Sequence, residues 1–122
     1  MIDALIIDDN RQLADVMCLM LDMLGCKGRA AYGARSGLME LNEQKPDVVF
    51  LDISMPGVDG FEVYSYIRRI PGCEQVPVIV VTSDDQMTTA RRVDAIGAAG
   101  MIIKPVTLDL IEDALKSVGL LV

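Results

Sequence analysis

Apolar residues alternate along the chain between short continuous runs and longer stretches with helical spacing. The continuous runs predict strands over residues 5–7, 48–51, 78–81 and 101–103, and a weaker pattern predicts one over 27–32. Apolar positions three and four residues apart predict helices over 11–24, 34–43, 59–70, 86–96 and 107–118. The chain is therefore expected to contain five strand–helix units.

The predicted helices carry recognisable start and stop signals. Gly25 and Gly97 follow the first and fourth helices, as C′ residues do. Asp59 and Glu62 have the spacing of a capping box, and Thr107 can cap the last helix. These residues make the helix boundaries better defined than the apolar pattern alone.

The predicted strands favour one fold class. Three of the five are uninterrupted apolar runs, which is typical of parallel strands buried on both faces by helices. Strands that alternate with helices indicate the doubly wound α/β class. No linker, low-complexity tract or repeat interrupts the pattern, so residues 1–122 are expected to form one domain.

Composition excludes several kinds of protein. The chain has 122 residues, 52% of them hydrophobic and 24% charged, which excludes intrinsic disorder. A net charge of −7 argues against direct binding to nucleic acid or to an acidic membrane surface. No apolar run approaches the roughly 18 residues of a membrane span, and the first residues lack the basic start of a signal peptide. A cytoplasmic protein is expected.

Two residue types limit the chemistry. The chain has no histidine, which excludes Ser-His-Asp and Cys-His catalysis. Its three cysteines, Cys18, Cys26 and Cys73, are scattered and show no C-x-x-C spacing. We interpret them as small core residues of a protein in a reducing compartment.

Polar residues follow four of the five predicted strands. They are Asp8 with Asp9, Asp52, Thr82 and Lys104. The carboxyl ends of parallel strands share one edge of the sheet, where ligands bind at the topological switch point. A strand order of 2-1-3-4-5 brings the three carboxylates together there. Two carboxylates 4 Å apart repel by about 4 kcal/mol at an effective dielectric of 20, so the cluster requires a cation, and Mg²⁺ or Mn²⁺ suits oxygen ligands.

Lys104 and Thr82 extend this predicted site from metal binding to phosphoryl chemistry. A lysine ammonium and a hydroxyl can both hold phosphoryl oxygens, and phosphoryl transfer depends mainly on positioning and charge neutralisation. Asp52, alone at its strand end, is the natural nucleophile. Each residue alone has a structural interpretation as a cap, turn former or solvated charge, but the four strand ends together favour a site.

In this order, the segments LIIDDN, VVFLDISMPGVDG, VIVVTS and MIIKP resemble the receiver domain of two-component response regulators over essentially the whole chain. The resemblance implies a flavodoxin-like (βα)5 three-layer sandwich with a five-stranded parallel sheet in the order 2-1-3-4-5. It also implies a phosphoryl group taken from the phosphohistidine of a sensor histidine kinase or a histidine phosphotransfer protein, or from a small phosphodonor. A downstream effector is the expected output partner, and a homodimer is a further option.

The resemblance assigns the metal and phosphoryl ligands residue by residue. Asp52 matches the phosphoacceptor. Asp9 and Asp52 match direct Mg²⁺ ligands, Asp8 matches a ligand acting mainly through water, and the backbone carbonyl of Ser54 matches the third protein ligand.

The other matched positions belong to the switch. Thr82 matches the hydroxyl that moves towards the phosphoryl group, and Ser83 matches a small neighbour that leaves the acceptor accessible. Lys104 matches the counter-ion of the phosphoryl group. The resemblance also implies a cis peptide between Lys104 and Pro105.

Two positions depart from the family pattern. Met101 stands where an aromatic switch residue is usual, so readout by ring burial is in doubt and Met101 is only a weak switch candidate. Val106 replaces a frequent bulky aromatic residue. Output is expected through the fourth helix, the fifth strand and the fifth helix, with Arg91 and Arg92 beside that surface.

Two further apolar features allow several interpretations. The first helix is apolar nearly all round and is expected to be largely buried, with Met17, Met20 and Met23 as core residues or as a docking surface. The apolar tail 118–122 either packs on the sheet, joins two subunits or leads into another domain.

Two other functions compete with a receiver that catalyses only its own phosphorylation and dephosphorylation. A Mg²⁺-dependent aspartyl-phosphate phosphatase needs a general acid two residues after its nucleophile, and Ser54 is a poor one. A pseudo-receiver would bind partners without ever being phosphorylated, although all five site residues are present. The polarity of Ser54 and Asp84 beside Asp52 is suited to orienting water, which allows slow autodephosphorylation.

Overall fold

The computed structural model of the protein describes all 122 residues. The strands are β1 (Asp3–Ile7), β2 (Lys27–Ala31), β3 (Val48–Asp52), β4 (Val78–Thr82) and β5 (Gly100–Ile103). The helices are α1 (Arg11–Met23), α2 (Ala34–Glu43), α3 (Gly60–Arg69), α4 (Met87–Ala95) and α5 (Leu108–Ser117). All ten predicted elements are present in the predicted order.

The five strands form one parallel sheet in the order β2-β1-β3-β4-β5. The predicted order 2-1-3-4-5 is therefore confirmed. The register pairs Ile7 with Leu51, so that β1 and β3 end side by side in the middle of the sheet. This register places the residues after β1 next to the end of β3.

Successive side chains of each strand enter two separate cores, as the pleat requires. Ile6 and Phe50 belong to the core under α1 and α5, whereas Leu5 and Leu51 belong to the core under α2 and α3. Helices therefore cover both faces of the sheet, and the three-layer flavodoxin-like sandwich is confirmed. None of the five helices has the length and apolarity needed to cross a bilayer.

Helix α1 is not largely buried, and that prediction is wrong. Its buried residues are Ala14, Met17 and Leu21. Three large apolar side chains are 43%, 63% and 73% exposed: Val16, Leu19 and Met23. One side of α1 packs on the sheet and no element covers the other, so only one of the two apolar stripes enters the core. Accordingly Met17 is a core residue, Met20 is half-buried against the core and Met23 faces solvent.

The structure supports the predicted positions of the cysteines and of part of the tail. Cys26 and Cys73 are buried, Cys18 is half-buried, and all three are free thiols. Burial raises the pKa of each of these thiols above its ordinary value. In the tail, Leu120 and Leu121 pack against the core under α1 and α5. Packing is thus one role of the tail.

Side-chain caps fix the starts of the helices around the site. Asp59 accepts hydrogen bonds from the amides of Phe61 and Glu62, as its cap role predicts. The reciprocal half of the capping box is absent, because the Glu62 carboxylate accepts from the Tyr66 hydroxyl at 3.0 Å instead. Thr107 caps α5 as predicted.

Candidate functional site

The carboxyl ends of β1 and β3 bring three carboxylates to one point of the sheet edge. Asp8 and Asp9 follow β1, and Asp52 is the last residue of β3. One carboxylate oxygen from each of them lies within 4.8 Å of the other two. These strands are neighbours although a helix, a strand and a second helix separate them in sequence, so the group exists only through the crossover connection.

The three carboxylates differ in their contact with water. The Asp8 and Asp52 side chains are 2% and 3% exposed, whereas Asp9 is exposed. The Oδ1 atom of Asp8 accepts a hydrogen bond from the Asn10 amide at 2.9 Å. Its Oδ2 atom is buried and has no hydrogen-bond partner. A buried oxygen of this kind is rare in proteins, and a cation or a water held by a cation would satisfy it.

Burial has a large effect on the ionisation of Asp8. Together with a smaller contribution from the neighbouring Asp52, it raises the pKa of this carboxyl from 3.8 to about 6. The Asn10 amide and the Lys104 ammonium act in the opposite direction. Near neutral pH Asp8 is still mostly ionised, at a cost in free energy that a bound cation would remove.

Lys104 is the cation that faces this group. Its Nζ atom lies 3.3 Å from Asp52 Oδ2 and 3.9 Å from Asp8 Oδ2, and its side chain is 23% exposed. The Lys104–Pro105 peptide that follows is cis, as expected from the resemblance. One ammonium opposite three carboxylates leaves two negative charges in excess, which favours a divalent cation.

The two oxygens of Asp52 are held by different groups. Oδ1 accepts a hydrogen bond from the Ser54 amide at 2.7 Å, and Oδ2 faces the Lys104 ammonium. The carboxylate is therefore held from two sides in one orientation at the end of β3. Such positioning is what nucleophilic attack on a phosphorus atom requires.

A pair of hydroxyls lies beside Asp52. Thr82, at the end of β4, is 1% exposed, and its Oγ1 atom is 3.0 Å from Ser54 Oγ. The amide of Asp84 donates to Thr82 Oγ1 at 3.0 Å, and the amide of Ser83 donates to Ser54 Oγ at 3.3 Å. Thr82 makes no hydrogen bond to Asp52, because its hydroxyl contacts Ser54 and the Asp84 amide instead.

The loop that carries Ser54 is packed tightly after β3. A Cβ atom at Gly60, the first residue of α3, would lie 2.5 Å from the Ile53 Cα atom. Only glycine allows the start of α3 to approach the backbone next to Asp52 this closely. This contact restrains the loop between them.

The remaining predicted site residues lie at the rim. Ser83 and Pro105 are exposed, which leaves the edge open to a large donor. Met101 is half-buried in β5, where it pairs with Val80, and β4 lies between it and the carboxylates. Val106 is buried in the core under α1 and α5. The structure thus brings the predicted site residues together at the carboxyl end of the sheet except Met101, which lies two residues before the end of its strand.

Sequence reasoning missed the side-chain contacts of Ser54 and Asp84. The Ser54 hydroxyl contacts Thr82, and the Asp84 carboxylate accepts from the Gln86 amide and the Thr89 hydroxyl at 2.9 and 2.6 Å. These hydrogen bonds lower the pKa of Asp84. The one available signal is the Asp-x-Gln spacing before α4, which is typical of a turn that caps a helix.

Comparison with protein families places the chain in a known group. Residues 4–116 match the sequence model of the response regulator receiver domain. The chain is 31% identical to the protein PilH of Pseudomonas aeruginosa over 93% of its own length and 94% of PilH. It is 30% identical to the sporulation initiation phosphotransferase F of Bacillus subtilis, covering 92% of this chain and 89% of that protein. It is 32% identical to the transcriptional regulatory protein AfsQ1 of Streptomyces coelicolor, of which it spans about half, 49%.

Solved structures show the same fold. The chemotaxis response regulator CheY4 of Vibrio cholerae superposes with a TM-score of 0.88 at 24% identity, over 97% of this chain and 98% of that one. NtrX from Brucella abortus superposes with a TM-score of 0.81 at 30% identity, over 94% of this chain and 27% of NtrX. Most of this chain therefore matches nearly the full length of PilH and CheY4 but only part of AfsQ1 and NtrX.

Proposed function

The chain belongs to the response regulator receiver domain family, and we propose that residues 1–122 form one receiver domain that accepts a phosphoryl group on Asp52. The observation that carries this proposal is the arrangement of Asp52 itself. Its carboxylate is buried, held by the Ser54 amide and the Lys104 ammonium, and lies among two further carboxylates. The same arrangement has no simple structural purpose, because it leaves a buried oxygen of Asp8 without a hydrogen bond.

The residues at this edge suit Mg²⁺, and Mn²⁺ as a substitute. Asp9 and Asp52 would bind the ion directly, Asp8 through water, and the Ser54 carbonyl would complete the protein ligands. All are oxygen donors, as both ions prefer, and the Asp8 oxygen that lacks a hydrogen bond would gain a partner. When bound, the ion supplies positive charge that offsets the carboxylates and the incoming phosphoryl oxygens.

The chemical step is a transfer to Asp52. One carboxylate oxygen of Asp52 forms a bond to phosphorus while the phosphorus–nitrogen bond of a donor phosphohistidine breaks. The electron pair leaves with the imidazole, which takes its proton from solvent. Lys104, 3.3 Å from Asp52 in the free protein, remains beside the acceptor and binds a phosphoryl oxygen, and Thr82 donates its hydroxyl to another.

The proposed partners follow from this step. A sensor histidine kinase or a histidine phosphotransfer protein supplies the phosphoryl group in the cytoplasm, and a downstream effector or a second copy of the chain binds the altered surface. We place this surface on α4, β5 and α5. Helix α4 buries only Val93. Arg91 and Arg92 are exposed, and the Arg92 guanidinium stacks on Phe61 of α3 at 3.9 Å, so α4 is held mainly by contacts that can be exchanged.

Intact-mass spectrometry after incubation with acetyl phosphate and MgCl₂ tests the proposal. We expect one phosphoryl adduct on the wild-type protein and none on Asp52→Asn. Adding excess EDTA should abolish the adduct. Asp113→Asn, which removes an exposed carboxylate of α5, is the matched control and should be labelled like the wild type.

The alternatives give different results in the same assay. An adduct that persists in Asp52→Asn would exclude Asp52 as the acceptor. Multiple turnover of a small phosphomonoester would instead indicate a phosphatase. A wild-type protein that gains no adduct and binds no beryllofluoride, a stable mimic of the phosphoryl group, would be a pseudo-receiver.

A further inference from the structure

The burial of Ser54 and Thr82 indicates which of their two hydroxyls donates the hydrogen bond between them. Thr82 Oγ1 and Ser54 Oγ are 3.0 Å apart, and Thr82 is 1% exposed whereas Ser54 is exposed. A hydroxyl has one proton and two lone pairs. If Ser54 were the donor, the buried proton of Thr82 would have no acceptor, whereas the exposed proton of Ser54 can always donate to water. Thr82 is therefore the donor, and Ser54 is its acceptor.

Two further hydrogen bonds hold Ser54 in place to accept the hydrogen bond from Thr82. Its own amide donates to Asp52 Oδ1 at 2.7 Å, and its Oγ atom also accepts from the Ser83 amide at 3.3 Å. Both bonds tie the serine to the acceptor aspartate on one side and to the end of β4 on the other. The Ser54 hydroxyl that accepts from Thr82 is thus held in position by hydrogen bonds to both strand ends.

The Thr82 hydroxyl has one proton and can donate one hydrogen bond. A phosphoryl oxygen on Asp52 would compete with Ser54 Oγ as the acceptor of that bond. We propose that Ser54 is a positioning residue that holds the Thr82 hydroxyl away from Asp52, so that loading of Asp52 must break the Ser54–Thr82 hydrogen bond before Thr82 can bind the phosphoryl group. This inference rests on the proposed function for the identity of the competing acceptor. The holding contact itself belongs to the free protein.

The same hydroxyl is connected to the first turn of α4. Thr82 Oγ1 accepts from the Asp84 amide at 3.0 Å. The Asp84 carboxylate in turn accepts from the Gln86 amide at the N-cap of α4 and from the Thr89 hydroxyl in its first turn. When Thr82 leaves Ser54, the Asp84 amide loses its present acceptor, and the turn that precedes α4 has to rearrange. Ser54 therefore sets how readily the start of α4 responds to Asp52.

The first test measures the side-chain rotamer of Thr82 in the free protein by three-bond NMR couplings across χ1. We expect one rotamer in the wild type and averaging between rotamers in Ser54→Ala, which keeps the backbone amide and carbonyl of residue 54. Ser54→Thr restores a hydroxyl and should restore the single rotamer. Ser36→Ala, which removes an exposed serine of α2, is the matched control and should leave Thr82 unchanged.

The second test measures binding of beryllofluoride in the presence of MgCl₂. Removing a net hydrogen bond from the free state alone should tighten binding about two- to twelvefold in Ser54→Ala. Ser36→Ala should bind like the wild type, and Ser54→Thr, which restores the hydroxyl, should bind more weakly than Ser54→Ala. The amide signals of residues 84–89 should shift in Ser54→Ala towards their positions in the loaded wild type.

The outcomes separate this inference from the proposed function. An unchanged Thr82 rotamer in Ser54→Ala overturns the holding role, whether or not beryllofluoride binds. Unchanged or weaker binding by Ser54→Ala overturns the claim that the contact opposes loading. Absence of beryllofluoride binding to the wild type contradicts the proposed function instead, and the rotamer measurement still decides the role of Ser54.

Discussion

Two charged clusters lie at opposite ends of the sheet, and they differ in how completely their polar atoms are paired. At the amino end of β1, the Arg29 guanidinium binds Asp3 and Glu40 at 2.8 and 2.9 Å and donates to the Gln44 carbonyl. The second carboxylate oxygen of Asp3 accepts from the side-chain amide of Gln44 at 2.8 Å. The backbone amide of Asp3 donates to the Asp47 carboxylate. We call this group the Arg29 cluster.

At the carboxyl end, three carboxylates lie together and one lysine pairs with two of them, Asp52 and Asp8. Asp8 Oδ2 is buried without a hydrogen bond, and burial raises the pKa of that carboxyl to about 6. The Arg29 cluster is complete by itself, whereas the carboxylate group at the other end is complete only with an additional cation. Full pairing is typical of charges that stabilise a fold, and incomplete pairing is typical of charges kept for a ligand. Substitutions in the two clusters should therefore have opposite effects on stability.

Asp8→Asn should stabilise the metal-free protein at pH 7. The pKa of Asp8 rises from 3.8 to about 6 on folding, which corresponds to about 3 kcal/mol against the ionised form. An asparagine carries no charge and can still accept from the Asn10 amide. We expect the free energy of unfolding in urea with EDTA to increase by about 2 kcal/mol. A decrease would show that the Asp8 charge stabilises the fold and would remove the contrast.

The increase in unfolding free energy caused by Asp8→Asn should depend on pH. Because the folded pKa of Asp8 is above the unfolded one, this carboxyl binds more protons in the folded protein between pH 4 and 6, and its contribution to wild-type stability falls through this window as the pH rises. The difference between variant and wild type should therefore be absent near pH 4 and complete near pH 7. Urea unfolding of both proteins across this range measures it, and a constant difference would contradict the assigned pKa.

Arg29→Met should destabilise the protein by about 2 kcal/mol, because it leaves Asp3 with one partner fewer in a place that is only 14% exposed. Arg35→Met is the matched control. Arg35 is exposed and forms no ion pair, so its loss should change the unfolding free energy by less than about 0.5 kcal/mol. Equal effects of the two substitutions would mean that the Arg29 cluster contributes nothing specific.

Mg²⁺ should stabilise the wild-type protein by about 1.4 kcal/mol at ten times its dissociation constant, since it binds only the folded state. Arg29→Met should keep this increment because its cluster is at the other end of the sheet. Asp52→Asn should lose most of it. Urea unfolding with and without MgCl₂ measures all three proteins, and an equal increment in Asp52→Asn would place the ion elsewhere.

Helix α1 shows where the apolar pattern was insufficient. Both of its stripes, one with Met17 and Leu21 and the other with Leu19 and Met23, have helical spacing, and the pattern alone cannot distinguish them. Only the stripe that faces β1 and β2 is buried. Burial depends on which neighbours cover a face, and a local pattern contains no information about them.

The sequence by itself determined the ten elements, the parallel sheet and the polar residues that end four of its strands. It could do so because spacing, caps and continuous apolar runs are local properties of the chain. Only the tertiary structure decided that Asp8 Oδ2 is buried without a hydrogen bond, that the Lys104 ammonium faces Asp52, and that the Thr82 hydroxyl lies within hydrogen-bond distance of the Ser54 hydroxyl. Those contacts join residues 28 to 52 positions apart or depend on burial, and both follow from how the strands are assembled.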